Sequence, residues 1–201
     1  MLPSILTALF VWTDGEFHLG ELVFWDQVEI STGHRIMKDL FGESWAIFNS
    51  LRNHRICLYR KWNDGPAAMV IGLNPSTANE SDDDQTIGFV KRILNHNGYG
   101  SLYMVNLFTF VSPYPEDLKN PARCAYDKKQ VQKVWHEYRH LVKDVVFAWG
   151  GFETFDRDKL AIKAFGDRAL CVGTNKDGSP KHFMYIKAET NLIPFNSRTE
   201  S

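Results

Sequence analysis

The segment around Asn74 combines residue types that could bind a ligand. An apolar run, residues 67–73, contains Gly72 near its end and gives way to Asn74 and Pro75. Pro75 fixes the backbone after the run, so the amide of Asn74 would present a donor and an acceptor from a rigid position. Ligands of open α/β sheets bind beyond the carboxyl ends of the strands. The motif therefore predicts a binding site, and a turn without function is an equally weighted alternative.

Asn106 is a second amide in an apolar setting, because it lies within the hydrophobic run 102–108. A buried amide without a hydrogen-bond partner costs roughly 1–3 kcal/mol, so the side chain must bond to something. One interpretation is a tie to a neighbouring loop, and the other is a contact with the polar edge of a ligand. The sequence leaves both interpretations open.

His182 follows a polar loop that contains Lys176 and Lys181. Lysines in such a loop could contact phosphates, although loop histidines and lysines are more often simply solvated. The aspartates at 82–84 favour the start of a helix, where their charge is stabilised. Asp84 lies closest to the apolar stripe that follows, so we expect this carboxylate to face the site as well.

Alternating strands and helices must position these residues. Branched and aromatic residues predict strands, and apolar residues at helical spacing predict amphipathic helices. The predicted strands are residues 21–30, 55–62, 67–73, 102–108, 145–149 and 169–173; the predicted helices begin after residues 82–84 and end at Gly98, span 125–142, and span 152–165. This order predicts an α/β fold, a three-layer sandwich with a central, mostly parallel sheet.

Size and composition predict one globular α/β domain. The chain has 201 residues, of which 44% are apolar and 13% aromatic, and its formal net charge is −1. We expect residues 45–201 to form the domain and residues 1–44 to be an N-terminal extension packed on its core. A net charge near zero gives no general attraction to nucleic acids or membranes.

Cysteine and histidine spacing predicts neither a metal nor a cofactor. The cysteines are widely spaced, and His136 and His140 lack a third ligand at a suitable spacing. The apolar start, residues 1–12, is too short to span a bilayer and lacks a basic leader, so we expect a strand in the core and no membrane association. A reducing cytoplasm is the simplest compartment. The three cysteines are Cys57, Cys124 and Cys171.

Four segments, in order, resemble motifs of the uracil-DNA glycosylase superfamily, above all of its mismatch-specific thymine/uracil branch. Residues 72–75 resemble the Gly-Ile-Asn-Pro motif of that branch, and residues 104–107 resemble the strand that presents an asparagine to the pyrimidine. Residues 147–150 are similar to a Leu-Trp-Gly strand end, and the loop reaching His182 is similar in position to a His-Pro-Ser loop. The resemblance covers about residues 45–190 and implies a uracil-DNA glycosylase-like fold.

The resemblance implies a DNA glycosylase, which hydrolyses the bond between a base and its sugar. Asn74 would hold the attacking water, Asn106 would contact the pyrimidine edge, and His182 would donate to the departing base. Asp84 would supply negative charge near the sugar. The other implied substrate-binding residues are Gly72, Leu73, Pro75, Ser76, Thr77, Phe108, Trp149, Lys176 and Lys181. Among these, an aromatic ring would stack on the base, and the hydroxyls and lysines would hold phosphates.

Departures from the superfamily motifs bear on the substrate. His182 is followed by Phe183 and Met184 rather than by Pro-Ser, and the uracil-specific Asp-Pro-Tyr is absent. Residues 72–78 and 176–180 also resemble a family of bacterial and phage proteins without an assigned function. We therefore expect a modified pyrimidine, flipped out of DNA, as the substrate. This substrate would suit defence against phage with modified DNA.

Two other functions agree with the same residues. A non-catalytic protein could bind a modified base or nucleic acid in this pocket without cleaving it. An enzyme of free nucleotides could cleave N-glycosidic bonds without needing a basic surface. Salt dependence separates these functions, because affinity for a nucleic-acid polymer falls steeply with salt. In each case we expect a monomer.

Overall fold

The computed structural model describes residues 44–120 and 128–196, together with the backbone pairing of four short strands before them. These strands are Phe10–Thr13 (β1), Glu16–Leu19 (β2), Val28–Ile30 (β3) and His34–Lys38 (β4). The predicted strand 21–30 is described only over β3, and its first part lies outside the described residues. Residues 1–9 of the predicted N-terminal core strand also lie outside them.

The remaining elements follow the predicted alternation closely. The strands are Ser44–Asn49 (β5), Arg55–Lys61 (β6), Ala67–Gly72 (β7), Ser101–Asn106 (β8), Asp144–Phe147 (β9), Leu170–Cys171 (β10) and Ile193–Pro194 (β11). The helices are Gln85–His96 (α1), Lys128–Tyr138 (α2) and Arg157–Phe165 (α3), with a 3-10 helix at Pro115–Lys119. The chain is therefore an α/β protein, as predicted.

The sheet is mixed, so the prediction of a mostly parallel sheet is wrong. Its order is β11-β10-β9-β7-β8-β6-β5-β4-β3, and only β10, β9, β7 and β8 run parallel to one another. β6, β5, β4 and β3 continue the sheet in antiparallel pairs. The short turn over residues 50–54 explains part of the difference, because neighbouring strands joined by a few residues must run antiparallel.

Helices cover both faces of the sheet, which gives three layers. The apolar stripe of α1 packs with the sheet residues Val70, Leu102 and Val146 on one face. On the other face, residues of α2 and α3 pack in one cluster with Met69 and Val105. The two buried clusters between these layers form the core of the domain.

Helix boundaries follow local chemistry. Asp84 caps α1 by accepting from the Ile87 N–H at 2.9 Å, which confirms the predicted start. α2 ends at Tyr138, short of the predicted 142, and Leu141 beyond it is 55% exposed. α3 begins later than predicted because Phe155 and Asp156 have φ angles of +51° and +65°, which a right-handed helix excludes.

The connections between the strands leave a crevice at the carboxyl ends of β7 and β9. The connection after β7 leads through α1 to β8 on one side, whereas the connection after β9 leads through α3 to β10 on the other side. Neighbouring parallel strands whose connections leave in opposite directions leave a crevice at their carboxyl ends, where ligands of α/β proteins bind. Within the part of the chain that the structure describes, no helix is long and apolar enough to cross a membrane.

Candidate functional site

Gly72 and Asn106 lie side by side at the ends of neighbouring parallel strands. They are paired in the register of β7 with β8. A Cβ added at Gly72 would lie 2.8 Å from Oδ1 of Asn106 and 2.6 Å from Cε of Met104. The glycine therefore leaves the space that the Asn106 side chain occupies.

The amide of Asn106 is buried without a hydrogen-bond partner. The residue is 3% exposed, and neither Nδ2 nor Oδ1 bonds to any of the described residues. The loop tie that the sequence left open therefore has no counterpart in the described structure. Because such an orphaned amide costs roughly 1–3 kcal/mol, its presence needs an explanation outside packing. A ligand would have to displace the groups that cover the amide before pairing with it.

Asn74 is fixed by the loop that follows β8. Its Nδ2 donates to the carbonyl oxygens of Ser112 at 2.8 Å and of Pro75 at 3.0 Å. These two hydrogen bonds use the donor of the Asn74 amide and fix the orientation of its side chain. Oδ1 accepts from none of the described residues, so the amide is held in place with its acceptor unused. The Asn74 side chain therefore stabilises the turn and also offers one acceptor, Oδ1.

His182 is held as a neutral hydrogen-bond donor. Its Nδ1 accepts from the Met184 N–H at 3.1 Å, which places the proton of the neutral ring on Nε2. Burial lowers the pKa of His182, and the negative charge of Asp84 opposes this shift only in part. The ring lies against the end of β9, since a Cβ added at Gly150 would be 3.4 Å from Cβ of His182. At neutral pH the imidazole is therefore uncharged and donates from Nε2.

Asp84 connects the start of α1 with the Asn74 loop. Besides its bond from Ile87, its Oδ2 accepts from the Ala78 N–H at 3.4 Å. Both carboxylate oxygens thus have backbone donors, while the charge acts on His182. Asn74, Asp84, Asn106 and His182 therefore lie along the carboxyl edge of neighbouring strands.

Three predicted substrate-binding residues lie in the core instead. Leu73 and Trp149 follow the alternation of β7 and β9 to the face covered by α2 and α3, opposite Asn106. Trp149 is 1% exposed and packs on Phe147 at 4.6 Å between ring centroids. Phe108 is 2% exposed, and its ring is covered by the guanidinium of Arg157 at 4.5 Å. This corrects the expected stacking on a base, because both rings are buried among the side chains of the core.

The predicted phosphate contacts are divided between two loops. Ser76 and Thr77 are half-buried and exposed, respectively, and their hydroxyls bond to none of the described residues. Lys176 and Lys181 are exposed on the loop before His182. That loop is tied to β9, because the Gly150 N–H donates to a carbonyl within it at 3.0 Å. Pro75 is buried and contributes its carbonyl to the Asn74 turn.

Sequence reasoning missed Arg55, the first residue of β6. Arg55 is 2% exposed, and its Nη1 donates to the Ala78 carbonyl at 2.8 Å. Burial lowers the pKa of its guanidinium to about 10 despite the nearby charge of Asp84. An arginine that opens an apolar strand was the available signal, but strand ends are also ordinary places for solvated charges.

Sequence reasoning also missed a cleft beside Gly151. Its volume is about 290 Å³, and Asp158 and Asp177 are among its lining residues. Its lining residues come from the segment after β9, from α3, from the loop 177–180 and from Phe195, so no local sequence pattern marks it.

Comparison with known proteins finds one family. A family model described as "Protein of unknown function (DUF1643)" matches residues 55–184. The match contains Asn74, Asp84, Asn106 and His182, as well as Arg55. Comparisons with curated proteins and with solved structures return no match.

Proposed function

We propose that this chain, which belongs to the family described as "Protein of unknown function (DUF1643)", is a DNA glycosylase that removes a modified pyrimidine from DNA and leaves an abasic site. The observation that carries the proposal is the buried, unpartnered amide of Asn106. An amide offers a donor and an acceptor side by side, which matches the paired groups on the edge of a pyrimidine. A uracil-DNA glycosylase-like arrangement of the three layers is part of the same proposal.

Pairing with a base would repay the cost of the orphaned amide. Leaving Asn106 unpaired costs roughly 1–3 kcal/mol, and extracting a nucleotide from the DNA stack costs a few kcal/mol. The two costs are of similar size. Hydrogen bonds between the Asn106 amide and the base would therefore offset a useful part of the free energy that base flipping requires. The cost of extraction is lowest for a base that is mismatched, damaged or already single-stranded.

The residues around Asn106 suit the charges that develop as the bond breaks. The sugar gains positive charge and the departing base gains negative charge. The Asp84 carboxylate supplies negative charge near the sugar, and its position is fixed by the first turn of α1. Asn74 orients the attacking water through its unused Oδ1, since a neutral amide is a poor base. Ser76, Thr77, Lys176 and Lys181 hold the flanking phosphates.

His182 stabilises the departing base as a neutral donor. The bond from the Met184 N–H to Nδ1 leaves Nε2–H free to donate to an oxygen of the pyrimidine. A neutral imidazole avoids the cost of a buried cation in the free protein, which agrees with its lowered pKa. The donor is therefore available at neutral and alkaline pH.

The direct test is base excision from synthetic DNA. Purified protein is incubated with single- and double-stranded oligonucleotides that carry cytosine, uracil, thymine, 5-hydroxymethylcytosine or a glycosylated 5-hydroxymethylcytosine, and alkali-labile breaks are counted. We expect breaks at a modified pyrimidine that disappear in Asn74→Ala and in His182→Gln. Asn97→Ala is the matched control, because Asn97 also ties a loop through its amide but lies at the other end of α1. Intact strands with every base would overturn the proposal.

One observation favours a second candidate, a protein that binds a modified base without cleaving it. Both oxygens of Asp84 already accept backbone N–H groups, so the carboxylate is poorly placed to take a proton from water. Such a protein would bind the modified oligonucleotide and lose affinity in Asn106→Leu, yet leave every strand intact. Binding without alkali-labile breaks therefore identifies this function.

A further inference from the structure

We propose that Arg55 is a positioning residue of the candidate site around Asn74 and Asn106, because its buried guanidinium fixes Ala78 opposite Asp84 and thereby holds the loop that carries Asn74. The loop concerned is residues 73–84, between β7 and α1. The catalytic consequence rests on the function proposed above. The effects of Arg55 on the position of the loop and on the charge around Asp84 do not rest on that function, and they are tested separately.

Burial is the first argument for a dedicated role. Arg55 is 2% exposed, although an arginine at the start of a strand could extend into water. Removing a charge from water costs several kcal/mol, and an apolar residue of similar volume is often equally stable or better. Its Nε, like the amide of Asn106 on the neighbouring strand, has no partner among the described residues. Packing alone therefore does not explain an arginine here.

The peptide groups of Ala78 link Arg55 with Asp84. The Ala78 carbonyl accepts from Nη1 of Arg55 at 2.8 Å, and the Ala78 N–H donates to Oδ2 of Asp84 at 3.4 Å. The guanidinium and the carboxylate thus hold one residue from two sides. Ala78 lies four residues after Asn74, so fixing it limits the movement of the intervening turn.

Arg55 also contacts the second segment that holds Asn74. Its backbone N–H donates to the Thr109 carbonyl at 2.8 Å. Three residues later, the Ser112 carbonyl accepts from Nδ2 of Asn74 at 2.8 Å. One residue therefore holds both the loop that carries Asn74 and the segment to which its amide is bonded.

Charge gives the arrangement a measurable signature. The charged and titratable groups that act on Arg55 are Asp84, which favours its positive charge, and Cys57 and Arg60. Asp84 also acts on His182. Removing the guanidinium would leave the negative charge of Asp84 without its compensating cation. Protonation of His182 would then become easier.

Arg60 provides a matched control on the same strand. It is 3% exposed and holds the same loop, through the Asn79 carbonyl and through Asp83 at 2.7 Å. Its carboxylate partner is therefore Asp83, which also pairs with Lys91 at 2.8 Å, rather than Asp84. A substitution at Arg60 removes a buried arginine of the same type without touching Ala78 or Asp84.

The experiment measures the pKa of His182 by NMR in wild type, Arg55→Gln and Arg60→Gln. We expect Arg55→Gln to raise this pKa by about half a unit, because an uncompensated anion favours the imidazolium, and Arg60→Gln to leave it unchanged. Equal shifts in both variants, or no shift in either, would overturn the proposal. The measurement of the His182 pKa needs no enzymatic activity, so it tests the role of Arg55 even if no oligonucleotide is cleaved.

Arg55→Lys separates position from charge and replaces Arg55→Gln if that variant does not fold. Lysine keeps the positive charge but cannot reproduce the planar fork of the guanidinium. We expect the Asn74 side-chain NH₂ resonances to shift or broaden in Arg55→Lys and to stay unchanged in Arg60→Lys. Where excision is measurable, kcat should fall about tenfold or more with a smaller change in KM. Unperturbed Asn74 resonances in Arg55→Lys would contradict the proposal.

Discussion

The two ends of the parallel strands use their asparagines differently. At the amino end, Asn97 donates from Nδ2 to two backbone carbonyls and accepts at Oδ1 from the Leu192 N–H at 2.9 Å. At the carboxyl end, Asn106 is more deeply buried than Asn97, but its amide has no partner among the described residues. Asn74 is intermediate in its hydrogen bonding, because its Nδ2 donates to backbone carbonyls whereas its Oδ1 accepts from none of the described residues.

The difference separates polar groups that stabilise the fold from polar groups that await a ligand. A satisfied buried amide contributes to stability, whereas an unsatisfied one costs stability and persists only for another reason. Tyr99 and Asp144 at the amino end follow the first pattern, since the hydroxyl donates to the carboxylate at 2.6 Å. If this division is real, substitutions of the two kinds of polar group should affect stability and activity differently.

Asn106→Leu should have the largest effect. We expect excision to fall by about 100- to 1,000-fold, because a polar contact that stabilises the reacting base is lost. The same change should leave the free energy of unfolding unchanged or raise it by about 1 kcal/mol, because an orphaned amide is replaced by an apolar group of similar size. Oligonucleotide cleavage and urea denaturation measure the two effects. A strongly destabilised Asn106→Leu protein would show that the amide has a structural partner.

Gly72→Ala tests whether the glycine exists to accommodate Asn106. The new Cβ would meet Oδ1 of Asn106 at 2.8 Å, so we expect a loss of about 1–3 kcal/mol in unfolding free energy from overpacking. In an Asn106→Ala background the cost should be smaller, since part of the obstruction is removed, and contact with Met104 remains. A double-mutant cycle by urea denaturation measures the coupling. Additive costs would mean that Gly72 serves something other than Asn106.

Asn97→Ala should show the opposite pattern to Asn106→Leu. Its amide bonds hold the end of α1 to residues 190–192, so we expect a loss of about 1–3 kcal/mol in stability. Excision, measured at a temperature where both proteins are folded, should be unchanged. An excision defect in this variant would mean that stability, rather than the site, limits activity in all of the variants.

The smallest expected effect concerns pH. Because the pKa of His182 is lowered by burial, the unfolded chain binds a proton more readily than the folded chain. The stability that depends on neutral His182 is therefore fully present above about pH 6.5, the ordinary histidine pKa, and is lost as pH falls from there toward the lowered pKa. His182→Gln should weaken this acid loss in urea denaturation at several pH values. His54→Gln should weaken the acid loss as well, because burial also lowers the pKa of His54. An acid loss that is unchanged in both variants would contradict this prediction.

The sequence predicted the local features of this molecule better than the long-range ones. The cap and apolar stripe of α1 are encoded within a few residues, and the structure has both. β5 was missed although it pairs with β6 across the short turn 50–54, whereas the antiparallel placement of β6 beside β8 was missed because it depends on pairing between distant segments. α3 was extended too far because the left-handed backbone of Phe155 and Asp156 leaves no clear mark in their residue types.

The same distinction applies to the candidate site. Asn106 could be singled out because an amide within an apolar strand conflicts with its surroundings. Leu73 and Trp149 were misplaced because the face of a strand residue depends on where the strand begins and ends. Arg55 was missed because its burial is created by a loop that lies more than twenty residues away.

The most direct test of the central claim follows the side-chain amide of Asn106 by NMR in protein labelled with ¹⁵N-asparagine. Each oligonucleotide of the base panel is added in turn, with duplex DNA containing an abasic site as the reference. We expect the Asn106 NH₂ resonances to shift with at least one pyrimidine and not with abasic DNA, while those of Asn97 stay unchanged. Asn106 resonances that remain unchanged with every base would contradict it.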